Sequence, residues 1–112
     1  MKYKLTNKKI VRNITFYQIE ALKDLLSVKK GDFGGWIEKE SNLSQYGNCW
    51  VSGYARVSGN AEVCGGARVS GNAEVCGNAR VSGNAEVCGG ARVSGDAWIS
   101  GSARVSGYTI IN

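Results

Sequence analysis

A six-residue repeat occupies the C-terminal two thirds of the chain and restricts the possible folds more than any other feature. The pattern is Gly-x-Ala-x-Val-Ser, with glycine at every sixth position from Gly47 to Gly107 and valine or isoleucine at every sixth position from Val51 to Ile111. Because side chains alternate along a β-strand, the Ala and Val of each unit face one side and the residue between them faces the other. The repeat therefore predicts a solenoid of short strands that bury their Ala and Val side chains against neighbouring coils.

The outward residues of the repeat indicate how many strands form one coil. From Arg56 to Arg92 they alternate between arginine and glutamate, so the charge pattern repeats every twelve residues. A two-strand coil would stack like charges about 4.8 Å apart, at a cost of up to about 1 kcal/mol for each pair. A three-strand coil has an 18-residue register, which places Arg56 beside Glu74 and later charges likewise beside opposite ones. We therefore predict an all-β fold, a single-stranded triangular parallel β-helix.

The chain divides into an N-terminal capping segment, residues 1–34, and the solenoid, residues 35–112. The six-residue spacing extends back to Ile37, with an insertion of two residues near Gln45. We expect the cap to be rich in β-structure, because it must cover the core of the first coil.

Within the cap, the sequence Ile14–Ile19 predicts a β-strand. Residues 21–28 predict either a short helix or a further strand, and residues 29–32 predict a turn.

The net charge of +5 is concentrated in the cap. Residues 1–44 contain nine basic and five acidic residues, whereas residues 45–112 contain five basic and four acidic residues. Nucleic-acid binding through the cap is one interpretation, but we favour a solvated basic face, because the arginines of the repeat are matched by glutamates. The basic residues concerned are Lys2, Lys4, Lys8, Lys9, Arg12, Lys29 and Lys30.

No apolar run in the sequence has the length of a membrane span, and no signal-peptide core is present near Met1. We expect a protein of the bacterial host cytoplasm that makes no membrane contact.

Four cysteines raise the possibility of disulfides or a zinc site. Cys64, Cys76 and Cys88 take the serine position of the repeat and fall on three different edges of the predicted triangle, so they cannot meet within one solenoid. Cys49 takes an alanine position and is expected in the core. We predict no metal and no cofactor.

The unit Val-Ser-Gly-Asn-Ala at residues 81–85 and its copies resemble the hexapeptide repeat of left-handed parallel β-helices. The resemblance implies a left-handed coil, although bactofilin-like polymers use right-handed triangular β-helices. The leader, residues 30–38 followed by Ser41–Ser44, is similar to small phage and prophage proteins with such repeats, some labelled transferases from the fold alone. This similarity of the leader implies a phage or prophage origin.

Hexapeptide acyltransferases use a histidine as general base, and this chain contains no histidine. We therefore predict no catalytic residues and a non-enzymatic structural or interaction protein that binds a host protein or defence component. The alternatives are an acyltransferase-like protein, a self-assembling β-helix polymer and a nucleic-acid-binding protein.

Residues that depart from the repeat pattern are the candidates for a functional role. Trp50 and Trp98 replace charged outward residues and lie beside arginines in the predicted register. Cation–π packing explains them locally, whereas an exposed tryptophan also commonly anchors an interface, and both interpretations stay open. Together with Tyr54 at a corner, they are the candidate partner contacts.

The last rung of the repeat has Ile110 where an outward charge is expected, and no capping sequence follows it. An exposed strand edge with apolar side chains favours pairing with another chain. We therefore predict a homo-oligomer formed through the C-terminal coil. The candidate interface residues are Tyr108, Thr109, Ile110 and Ile111.

Overall fold

A computed structural model describes residues 1–26 and 28–112. It begins with β1 (Tyr3–Val11), β2 (Ile14–Ala21), β3 (Phe33–Ile37) and a 3₁₀ turn (Glu40–Asn42). Two-residue strands six positions apart then follow: β4 (Trp50–Val51), β5 (Arg56–Val57), β6 (Glu62–Val63), β7 (Arg68–Val69), β8 (Glu74–Val75), β9 (Arg80–Val81), β10 (Glu86–Val87), β11 (Arg92–Val93), β12 (Trp98–Ile99), β13 (Arg104–Val105) and β14 (Ile110–Ile111).

The short strands stack into three parallel sheets, one on each side of a triangular solenoid. Face 1 contains β3, β5, β8, β11 and β14; face 2 contains β6, β9 and β12; face 3 contains β4, β7, β10 and β13. From β4 onwards, neighbours in a face are three repeat units apart, as Arg56 and Glu74 are. The triangular coil predicted from the charge pattern is thus confirmed, and its left-handed sense stays a prediction.

The core of the solenoid consists of the valine and alanine columns. Val57, Val75 and Val93 stack in one column of face 1, and each is fully buried. At the corners, the repeat glycines from Gly53 onwards have φ between 64° and 69°, which glycine adopts without a Cβ penalty. A Cβ placed on Gly83 would lie 2.8 Å from the backbone N and O of Gly101, so glycine also permits the close stacking of coils.

An antiparallel hairpin closes the N-terminal end of the solenoid. β1 and β2 pair across a turn in which Arg12 and Asn13 both have positive φ. β2 then pairs antiparallel with β3, so face 1 continues into the cap as a seven-stranded sheet. β2 confirms the strand predicted at Ile14–Ile19, whereas the sequence pattern gives no signal for β1. Tyr3 and Ile19 are fully buried within the core cluster.

The segment between β2 and β3 packs as irregular chain. Apart from Ala21, the last residue of β2, its described residues up to Val28 form neither the predicted helix nor the alternative strand, and Ser27 lies outside the described residues. Leu25 and Val28 instead pack individually against the core, and the Leu25 N–H donates to the Val28 carbonyl. The predicted turn at residues 29–32 is confirmed, because the Asp32 N–H donates to the Lys29 carbonyl at 2.9 Å.

The insertion in the first coil lies where the spacing predicts it. Leu43 lies beside Val63, whereas Val51 lies beside Val69. The first pair is separated by two more residues than the second, which has the ordinary spacing of three repeat units. The two extra residues are therefore in the loop between Leu43 and Val51.

Candidate functional site

The outward charges of the solenoid form ion pairs along each face. On face 2, the Arg80 guanidinium lies 2.9 Å from the Glu62 carboxylate, and on face 3 Arg104 lies 3.0 Å from Glu86. These are the opposite-charge contacts predicted from the three-strand register. Exposed pairs of this kind contribute at most about 1 kcal/mol each, so their main effect is to neutralise the faces.

The last coil has an open edge. One set of hydrogen bonds between coils runs from an N–H of one coil to a carbonyl of the next, and its final members join Arg92 to Thr109 and Ser94 to Ile111. Within the described part of the chain, β12, β13 and β14 each pair with one strand only. Their outer edges therefore present unpaired backbone groups, the feature that favours addition of another strand.

Large apolar side chains are exposed in this same coil. Tyr108 is 91% exposed, Trp98 67% and Ile110 63%. Thr109 is exposed, with its hydroxyl donating to the Ser106 carbonyl, and Ile111 is half-buried. The structure thus brings the predicted interface residues and Trp98 into one coil.

Trp98 also makes the predicted local contact, because the Arg80 guanidinium lies 5.6 Å from the centroid of its ring. The interaction leaves most of the indole exposed. Cation–π packing and a role as an interface anchor are therefore compatible at this position.

Trp50 is not an exposed residue, so its interpretation as a partner contact is wrong. The side chain is 5% exposed and meets the Tyr3 ring edge-on, with 6.5 Å between ring centroids. Leu25 and Val28 line the same cavity as Trp50, over face 3. The cap segment therefore covers the outward position that the repeat alone would leave exposed.

Tyr54 is 73% exposed and shares a corner column with Tyr108, as the register predicts. Asn72 and Gly90 separate the two tyrosines in that column, and the Tyr108 ring packs over Gly90. The two rings are therefore three coils apart, and Tyr54 lies away from the open edge.

The basic residues of the cap are used in different ways. Lys2 is fully buried, and Lys9 lies 4.1 Å from the centroid of the Trp36 ring. Lys4 approaches Glu20 at 3.9 Å, whereas Lys8 is exposed. Lys2 and Lys9 are therefore engaged in contacts within the protein, which leaves fewer basic side chains of the cap free for an anionic partner.

The buried Lys2 ammonium binds the loop between Leu43 and Val51, which holds the two inserted residues. It donates to the carbonyl of Cys49 at 2.8 Å and to those of Tyr46 and Gly47 at 3.4 Å each, and lies 3.2 Å from the Cys49 sulfur. The periodic pattern gives no signal for this contact. Cys49 is fully buried, as its alanine position predicts.

Cys64, Cys76 and Cys88 are free thiols on three different corners, as predicted. The pKa values of the Cys64 and Cys76 thiols are raised, chiefly by burial, so both are mainly protonated and weakly nucleophilic near neutral pH. Among residues 1–26 and 28–112, no cluster of three or more His, Cys, Asp or Glu side chains is arranged to hold a metal ion. The same residues contain no helix long and apolar enough to span a membrane.

Two parts of the chain match a known solenoid repeat. Residues 73–89 and 91–107 match the profile of the family described as the YdcK beta solenoid repeat. A 40-residue stretch is 45% identical to the uncharacterized acetyltransferase YdcK of Escherichia coli strain K12. The matched stretch covers 36% of this chain and 12% of that protein, so the chain corresponds to a small part of its relative. These similarities support a hexapeptide-type β-solenoid.

Proposed function

We propose that the chain acts by binding, as a non-enzymatic interaction protein built on a rigid β-solenoid. The main supporting observation is that Trp98, Tyr108 and Ile110 are all exposed in the coil whose outer edge is unpaired. Trp98 lies on face 2, Ile110 on face 1 and Tyr108 at a corner, so each places an apolar side chain beside unpaired backbone groups, a combination typical of interaction surfaces.

We further propose a phage or prophage origin, with a host protein or defence component as the partner. The support is the resemblance of the leader, residues 30–38 and Ser41–Ser44, to small phage proteins. Such proteins often act by obstructing a host protein.

The open edge also fits a second copy of this chain. Two copies of β14 related by a two-fold axis would pair antiparallel and exchange backbone hydrogen bonds, with Ile110 and Tyr108 packed beside the axis. The hairpin covers the opposite end of the solenoid, which favours a closed dimer over a polymer of coils stacked head to tail.

Light scattering on a gel-filtration column over a range of protein concentrations tests this proposal. We expect a dimer that becomes a folded monomer in Ile110→Lys, because the ammonium groups would meet across the axis. Ile10→Lys is the matched control, since Ile10 is similarly exposed, at 71%, but lies in β1. An Ile110→Lys protein that keeps the wild-type mass would contradict the proposed interface.

Acyl transfer is the second candidate function, because the matched relative is named an acetyltransferase. The absence of histidine argues against it, since imidazole is the side chain best suited to remove a proton near neutral pH. Calorimetric titration with acetyl-coenzyme A, followed by an acetylation assay with small amines, tests this alternative. Turnover would overturn the non-enzymatic proposal, and a trimer in light scattering would favour the acyltransferase-like assembly.

A further inference from the structure

A groove lies between the tip of the β1–β2 hairpin and the outer surface of face 1, with a cavity volume of about 290 Å³. On the hairpin side it is lined by Val11, Ile14 and Phe16. The opposite side consists of outward residues of β5, β8 and β11 and the corner residues that follow those strands. The groove therefore has one wall that is apolar apart from Arg12 and one polar wall.

Three guanidinium groups line this groove, and one carboxylate faces them. Arg12 reaches it from the hairpin turn, and Arg56 and Arg92 reach it from face 1. One oxygen of Glu74 lies 3.2 Å from the Arg56 guanidinium and 3.1 Å from that of Arg92. Because each guanidinium has about five N–H donors, this one oxygen occupies only part of their capacity.

The titratable side chains of Cys76 and Lys9 add no negative charge at the groove. Cys76 lines it and is mainly uncharged near neutral pH, because burial and then Glu74 raise the pKa of its thiol. The pKa of Lys9, beside the groove, is lowered first by burial and then by the charge of Arg56. No acid other than Glu74 is among the described residues of the lining.

The other faces provide a matched comparison. Arg104 occupies the same place in the repeat as Arg92 and lies 3.0 Å from Glu86, but it is on face 3 and outside the groove. An effect specific to the groove is therefore expected at Arg92 and not at Arg104.

We propose that this groove binds the carboxylate of a ligand whose remaining part is apolar. Arg12 and Arg92 hold the carboxylate through their planar N–H pairs, which match its two oxygens. The apolar part packs on Val11 and Ile14 of the hairpin. A carboxylate of this kind belongs either to a small organic acid or to the C-terminus of a protein chain. The site is independent of the binding function proposed for the last coil.

The test is a titration of the folded protein followed by ¹H–¹⁵N NMR. Phenylacetate is the probe, phenylacetamide its neutral control, inorganic phosphate the anion without an apolar part, and an acetylated tripeptide ending in leucine the protein-terminus probe. We expect phenylacetate to shift the amides of Ser58, Cys76 and Ser94 and to bind more tightly than phenylacetamide or phosphate. Tighter binding of the tripeptide would identify a chain terminus as the source, and tighter binding of phenylacetate a small acid.

Four substitutions separate specific binding from general attraction. Arg12→Gln and Arg92→Gln should each weaken phenylacetate binding about threefold to tenfold, whereas Arg104→Gln should leave it unchanged. Glu74→Gln should tighten it, because the competing carboxylate is removed. Equal binding of phenylacetamide, or an equal loss in Arg104→Gln and Arg12→Gln, would overturn the proposal. Arg12 is exposed in a turn, so Arg12→Gln is expected to fold normally.

Discussion

At the first coil, β3 continues into the antiparallel strand β2, whereas at the last coil the outer edges of β12, β13 and β14 pair with no strand of the described residues. The inward column of face 1 shows the consequence. Ile37, in the first coil, is fully buried, whereas Ile111, in the last, is half-buried. The inward position of the repeat is thus part of the core in the first coil and lies partly at the surface in the last coil. A solenoid coil acquires a complete core only when something covers its open side.

The largest expected effect compares the two ends directly. Ile37→Ala should lower the free energy of unfolding by about 2–5 kcal/mol, because it leaves a cavity that the surrounding coils cannot fill. Ile111→Ala should cost less than about 1 kcal/mol in the monomer, because water already reaches that side chain. Urea unfolding of dilute protein measures both. Equal costs would mean that the last coil is as well covered as the first.

The corner glycines give a second comparison. Gly83→Ala should cost about 2–4 kcal/mol, because alanine is strained at φ +66° and its Cβ would contact the Gly101 backbone. Gly107→Ala should cost only about 1–2 kcal/mol, because φ is +68° but nothing lies within 4 Å of a Cβ there. Thermal unfolding of the two variants measures the difference. If Gly107→Ala cost as much as Gly83→Ala, backbone strain alone would explain both, and close stacking would have no part.

A smaller effect is expected at the buried ammonium that ties the cap to the first coil. Lys2→Met should cost about 1–3 kcal/mol, because it leaves the carbonyls of Tyr46, Gly47 and Cys49 without this donor. Lys8→Met, at an exposed position of β1, should change stability by less than about 0.5 kcal/mol. Chemical unfolding measures both variants. A Lys2→Met protein as stable as the wild type would show that the ammonium does not help to hold the cap on the first coil.

The periodic part of the fold could be predicted from the sequence because each unit repeats the same local chemistry. The alternation that places Arg56 beside Glu74 defines the coil, and the change of spacing before Val51 locates the insertion. The non-periodic contacts could not be predicted in this way. The burial of Trp50 depends on how the cap segment packs over face 3, and the contact of Lys2 with Cys49 joins residues 47 positions apart.

The same distinction applies to the candidate sites. Tyr108 and Ile110 are exposed as their places in the repeat indicate. The groove beside Arg12 depends on a hairpin whose first strand, β1, has no signal in the sequence, so Arg12 could not be placed beside Arg56 and Arg92 from spacing alone.

Residue-resolved amide hydrogen exchange by NMR, repeated over a range of protein concentrations, tests most directly whether the solenoid is closed at one end and open for binding at the other. The N–H groups of Glu74 and Cys76 on face 1 donate to the next coil at 3.0 and 2.9 Å and should be protected at every concentration. The equivalent N–H groups of Ile110 and Asn112 lie at the open edge of β14, where the proposed dimer pairs. We predict rapid exchange there in dilute protein and slower exchange as a dimer forms. Protection of Ile110 and Asn112 equal to that of Glu74 and Cys76 at the lowest concentration would contradict the account.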